Sequence, residues 1–252
     1  MKPFLKTLFA VLVFAFTTAT VAMAQSVVKT DSLETIATNL SGFSSIKIAG
    51  PFDVHLVQGD VESVKYIAGA DVKNRITTKV SGGVLKIHNT HDNWGTGYKS
   101  WYSEKSVWRN HKKIAVYITV KNLEGITVSG SGDVAFGDGV KAAGLRLRVR
   151  GSGEISGSID VKKLNSKISG SGHIKLSGNA EISKIHIAGS GHFEGGSLVT
   201  VNSAAHVSGS GNAKVNASDK VEAAVRGSGV ISYTGAKTIN ISKSGSGEVS
   251  RF

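Results

Sequence analysis

The chain has 252 residues, a formal net charge of +12 and no cysteine. Without cysteine it can hold neither a disulfide framework nor a thiol nucleophile. The excess of lysine and arginine favours anionic partners without naming one. Nucleic acid is not expected among them, because the chain opens on an export signal.

That signal occupies residues 1–24. Lys2 and Lys6 precede an apolar run from Leu8 to Phe16, which ends in Ala22-Met23-Ala24 ahead of Gln25, the layout of a signal peptide with an A-x-A cleavage site. Removing it leaves a charge of +10 on 228 residues. No later stretch approaches the roughly 20 apolar residues of a spanning helix, and no cysteine follows the signal to take a lipid anchor. The mature chain is therefore expected outside the cytoplasm, in the periplasm, at the cell surface or in the medium, with no transmembrane span.

Residues 25–40 are polar and aperiodic and read as a linker or loosely held arm. Alternation begins in the next part, 41–125. Ile46 and Ile48, then Phe52, Val54 and Leu56, then Leu85 and Ile87, then Ile114, Val116, Ile118 and Val120 are apolar at every second position. These predict half-buried strands, separated by turns such as Gln58-Gly59-Asp60 and Ser81-Gly82-Gly83. An insertion at 89–113 interrupts them and holds Trp94, Trp101 and Trp108 with Tyr98 and Tyr102. Two readings stand for it: a platform for sugar rings or a protein partner, or a flap covering the end of the fold.

From 126 to 252 the chain repeats. Gly-Ser-Gly triplets start at Gly130, Gly151, Gly170, Gly189, Gly209, Gly227 and Gly245, in steps of 21, 19, 19, 20, 18 and 18 residues. A period of this size predicts a solenoid in which each coil covers its neighbour's apolar face. Offsets from the triplets support this. Two residues before them stand Val128, Val149, Ile168, Ile187, Val207, Val225 and Lys243; two after stand Val134, Ile155, Ile174, Phe193, Ala213, Ile231 and Val249. Both columns are expected to face a core, with Lys243 marking a water-facing last coil. The expected fold is all-β: a parallel β-helix, or β-solenoid, of about six to seven rungs, continuous with the strand-rich part before it. A sandwich of short hairpins is the alternative, but it does not account for columns that keep their residue type.

Outward positions carry the candidate chemistry. Three residues before the triplets lie Thr127, Arg148, Lys167, His186, His206, Ala224 and Ser242; five before lie Arg146, Asn165 and Lys184. With Arg150 they predict a basic face suited to an acidic polymer. Immediately after the triplets come Asp133, Glu154, His173, His192, Asn212, Val230 and Glu248. Histidine beside glutamate suits zinc, but a merely exposed polar column accounts for the pattern as well, so no metal or other cofactor is expected. Calcium sites of the glycine-rich nonapeptide type are rejected because aspartate does not recur.

The segments Phe43-Ser44-Ser45-Ile46-Lys47-Ile48, Gly50-Pro51-Phe52-Asp53-Val54-His55-Leu56-Val57-Gln58-Gly59 and Ile126-Thr127-Val128-Ser129-Gly130-Ser131-Gly132-Asp133-Val134 resemble the putative auto-transporter adhesin head, or GIN-type, domain of exported bacterial proteins, many from Bacteroidetes-like envelopes. The resemblance runs from about Phe43 to the C-terminus. It implies a β-helical fold, an envelope or surface location and an adhesive role, and it brings no catalytic motif. The sequence shows no C-terminal membrane barrel, so self-export is not expected.

The expected function is that of a non-enzymatic, adhesin-like envelope or surface protein that contacts anionic glycans or other cell-surface components. Candidate binding residues are Arg146, Arg148, Lys167, Lys184 and His186 on the basic face, and Trp94, Tyr98, Trp101, Tyr102 and Trp108 in the insertion. Two alternatives are carried. One is a polysaccharide-degrading enzyme using Asp133 and Glu154, and the other is a structural envelope component that stacks through its strand edges.

Overall fold

A computed structural model of the chain describes residues 33–38, 40–69, 75–90 and 114–252. Sixteen strands and no helix occur among them. The strands are β1 (Leu33–Thr38), β2 (Ser45–Ala49), β3 (Phe52–Gln58), β4 (Ser63–Gly69), β5 (Ile76–Ser81), β6 (Val84–Asn89), β7 (Ile114–Val120) and β8 (Gly125–Gly130). They continue as β9 (Asp133–Gly151), β10 (Glu154–Gly170), β11 (His173–Gly189), β12 (His192–Gly209), β13 (Asn212–Gly227), β14 (Val230–Thr234), β15 (Thr238–Ser244) and β16 (Glu248–Arg251). The solenoid predicted from the triplet spacing is present.

One coil shows how the sequence builds it. In β10, Ile155, Ile159, Val161, Leu164 and Ile168 are buried, while Asp160, Lys162, Lys163, Asn165 and Lys167 face water. The alternation breaks at Gly157-Ser158 and at Lys162-Lys163, and after the Gly-Ser-Gly corner the chain resumes alongside its own start. Each coil then pairs in parallel with the next: Ile155 opposite Ile174, Ile168 opposite Ile187, Gly170 opposite Gly189. Side chains of one kind therefore stack in columns, and the buried members form one continuous core from Phe43 to Ile231. A fully buried aliphatic side chain contributes about 1.5–3 kcal/mol, so these columns supply much of the drive to stack.

The triplets need glycine twice, for different reasons. Gly151 has φ +112, and a Cβ on it would lie 2.6 Å from the Gly130 carbonyl oxygen. Gly153 has no such φ, but a Cβ there would run into the Gly132 carbonyl and come within 2.7 Å of Val128 Cγ1. The serine between them is exposed, and its amide continues the ladder, as where Ser171 N–H donates to Gly151 C=O at 3.0 Å.

The N-terminal part stacks out of chain order. β2 lies between β6 and β8, and β3 between β7 and β9. The coil at 45–58 is thus flanked on one side by β6 and β7 and on the other by β8 and the start of β9. Gly50-Pro51-Phe52 occupies the corner held by the triplets elsewhere, since Ala49 pairs Ser129 and Asp53 pairs Asp133. Gln58 fastens this arrangement: its Nε2 donates to the carbonyls of Lys121 and Lys141, each at 3.1 Å, and its Oε1 accepts from Lys141 N–H at 2.9 Å.

Antiparallel strands finish the N-terminal end, β4 on β7, β1 on β4 and β5 on β6. The segment 25–40, expected as a linker, therefore needs correction at 33–38. Those residues form β1, whose backbone finds a ladder in β4 that local sequence could not announce. At the other end β15 pairs β13 and β16 pairs β14. Lys243 is exposed there, as expected for a water-facing last coil.

Candidate functional site

The register fixes where the outward side chains of the strands before each corner fall. Lys79, Lys86, Lys47, Thr127, Arg148, Lys167, His186, His206, Ala224 and Ser242 are successive ladder partners across one face. The neighbouring column brings Arg146 opposite Asn165 and Asn165 opposite Lys184, and Arg150 and Arg226 stand on the other side. All five predicted basic-face residues, Arg146, Arg148, Lys167, Lys184 and His186, thus share one surface. The sequence reading missed that Lys47, Lys86 and Lys79 prolong it.

Acids are sparse on these three columns among the described residues. Glu222 is there, with its carboxylate 2.6 Å from Lys220 Nζ. That contact holds the Glu222 carboxyl below the usual glutamate range. Glu124 borders the face, 3.8 Å from Arg146 Nη2.

Two coils further along, the His186 and His206 rings stack, with centroids 4.9 Å apart and planes 16° from parallel. Partial desolvation, His206, Lys167 and Lys184 together push the His186 pKa below its ordinary value, burial being the largest cause. Alongside both rings the surface dips into a depression of about 320 Å³, lined by Lys167, His186, His206 and Arg226 and by small residues including Ala224 and Ser242.

The strands after each corner carry a different line. Asp53, Asp133, Glu154, His173, His192 and Asn212 are successive partners, with the His173 and His192 rings tilted and 5.5 Å apart. Among the described residues no three metal-ligating side chains converge. A shallow groove of about 680 Å³ runs along the third side, between Lys141, Asp160, Asn179 and the half-exposed Val199. Its charges are mixed. The five aromatic candidates, Trp94, Tyr98, Trp101, Tyr102 and Trp108, lie outside the described residues.

Fold and surface together define a β-solenoid that displays charge in columns. The model of the family "Putative auto-transporter adhesin, head GIN domain" matches residues 42–237, and the chain belongs to that adhesin-like family of surface proteins. Solved structures agree on the fold. A putative adhesin from Bacteroides fragilis is 26% identical with a TM-score of 0.76, over 88% of this chain and 97% of that one. A putative adhesin from Parabacteroides distasonis is 22% identical at 0.69, over 88% and 98%. A putative lipid binding protein from the same species is 20% identical at 0.67, again over 88% and 98%. No curated protein matches the sequence. No helix among the described residues is long and apolar enough to cross a membrane.

Proposed function

We propose that the chain is an exported, non-enzymatic binding protein of the bacterial envelope or surface, and that its basic face holds anionic polysaccharide. The observation that carries this reading is the register-aligned run Lys86, Lys47, Thr127, Arg148, Lys167, His186. Parallel strands stack about 4.8 Å apart, so like charges are held close along the stack. Their mutual repulsion is relieved by a polyanion lying along the same axis, which meets a cation at almost every coil. Each exposed pair is worth little, about 0–1 kcal/mol. Affinity therefore has to come from many contacts made by one chain.

A glycan array probed with the exported protein at low and at high salt tests this. Acidic glycans should give the signals, and salt should remove them because exposed charges are screened. Binding that favours neutral glycans and survives high salt would move the function away from the basic face.

A further inference from the structure

We propose that the depression beside His206 seats a single acidic sugar residue, its ring stacked on the outer face of the imidazole and its carboxylate directed to Arg226. This rests on the reading of the basic face as a glycan-binding surface and names a subsite within it.

The column itself makes the vacancy. From Lys167 to His186 to His206 the outward side chains are large; the next two partners are Ala224 and Ser242. His186 already covers one face of His206, with the ring centroids 4.9 Å apart. The other face looks over Ala224, where a third ring of the ladder would stand if the column continued. A ligand ring placed there repeats the spacing that the two imidazoles already show.

The lining matches an acidic sugar. Ser208, Ser242 and Ser244 offer hydroxyls around the depression, and Arg226 and Lys167 stand at its margins. Arginine presents a planar fork that fits a carboxylate by two parallel hydrogen bonds. At about 320 Å³ the depression has room for one sugar ring. Lys167 from β10 and Lys184 from β11 act on His186, Glu222 from β13 acts on His206, and Arg226 from β13 lines the same depression, three cations to one acid. The same cationic surroundings that lower the His186 pKa favour an incoming anion.

Isothermal titration of trigalacturonate into the exported protein tests the proposal, with Ala224→Leu and Arg226→Gln as variants. The first fills the notch without altering charge; the second removes the cation without filling space. Each should weaken trigalacturonate binding by about tenfold or more. Unchanged trigalacturonate binding in Ala224→Leu would overturn the subsite, as would a wild-type protein that holds the polymer but not the trimer. Displacement of the trimer by inorganic phosphate as effectively as by galacturonic acid would also overturn it, since a ring would then play no part. Failure of the wild type to hold either trimer or polymer would remove the basic-face reading along with the subsite.

Discussion

Val128 and Gly153 are packed so closely that a single added methyl group on the glycine would reach Val128 Cγ1 at 2.7 Å and strike the Gly132 carbonyl. The core column and the corner are thus one packing unit, and the spacing between coils is set where backbone meets backbone.

Gly153→Ala should therefore destabilise the protein by roughly 1–3 kcal/mol or more through overpacking. Gly137→Ala should be close to neutral, because nothing lies within 4 Å of a Cβ there and the residue is exposed. Paired denaturant melts of the two variants check the contrast. Equal effects would mean that the corners are not close-packed.

Ile168→Ala removes a fully buried side chain from the middle of its column. A loss of about 2–5 kcal/mol is expected. By contrast, Lys167→Ala, one position away on the outward phase, should change stability by less than about 0.5 kcal/mol. Urea unfolding curves measure both.

Much of this organisation is readable from the chain alone. Val149, Ile168 and Ile187 keep a constant distance from their triplets, so simple counting places them in one column, and the same counting places Arg148, Lys167 and His186 on the opposite phase. Lys47 and Lys86 escape that method. The strand of Lys47 is followed by Gly50-Pro51-Phe52 and that of Lys86 ends at Asn89, neither at a triplet, and the coil at 45–58 is stacked between segments that come later. Only backbone pairing reveals that these lysines continue the line of Arg148. β1 is hidden for a related reason, since its partner is an antiparallel strand thirty residues away in a polar context. The depression was half legible: Ala224 and Ser242 follow His206 in the offset column, but their consequence needs the stacked rings to be seen.

His186 carries a pH dependence of definite sign. Its folded pKa lies below the ordinary histidine value of 6.5 because of partial burial, His206, Lys167 and Lys184. The unfolded chain therefore binds the proton more readily, and the stability tied to this group is present above about pH 6.5 and lost as pH falls through the lowered folded pKa. Proton NMR of the imidazole should show His186 titrating below 6.5, and Lys167→Ser should raise that value. A bound polyanion should raise it as well, so affinity for acidic glycans should increase as pH falls through this window. A His186 titration at or above 6.5 in the free protein would contradict the account.

Lys243 stands at a position that earlier coils fill with Val225, Val207 and Ile187. At the last coil, Ile241 is also half-exposed. Charged residues on a free strand edge oppose pairing with another chain. Lys243→Val should therefore promote association through the C-terminal end. Light scattering across a concentration series should show a rise in mass for the variant, and the wild-type protein should rise less.

The central claim is that the stacked cations act together on a polyanion. Retention of the chain without residues 1–24 on polygalacturonate resin, compared between wild type and the Arg146→Ser, Arg148→Ser, Lys167→Ser triple variant at low ionic strength, tests it most directly. The account predicts strong retention of the wild type, elution of the triple variant at clearly lower salt, and unchanged thermal unfolding of the two, since all three side chains face water. Identical elution of a folded triple variant and the wild type would contradict it.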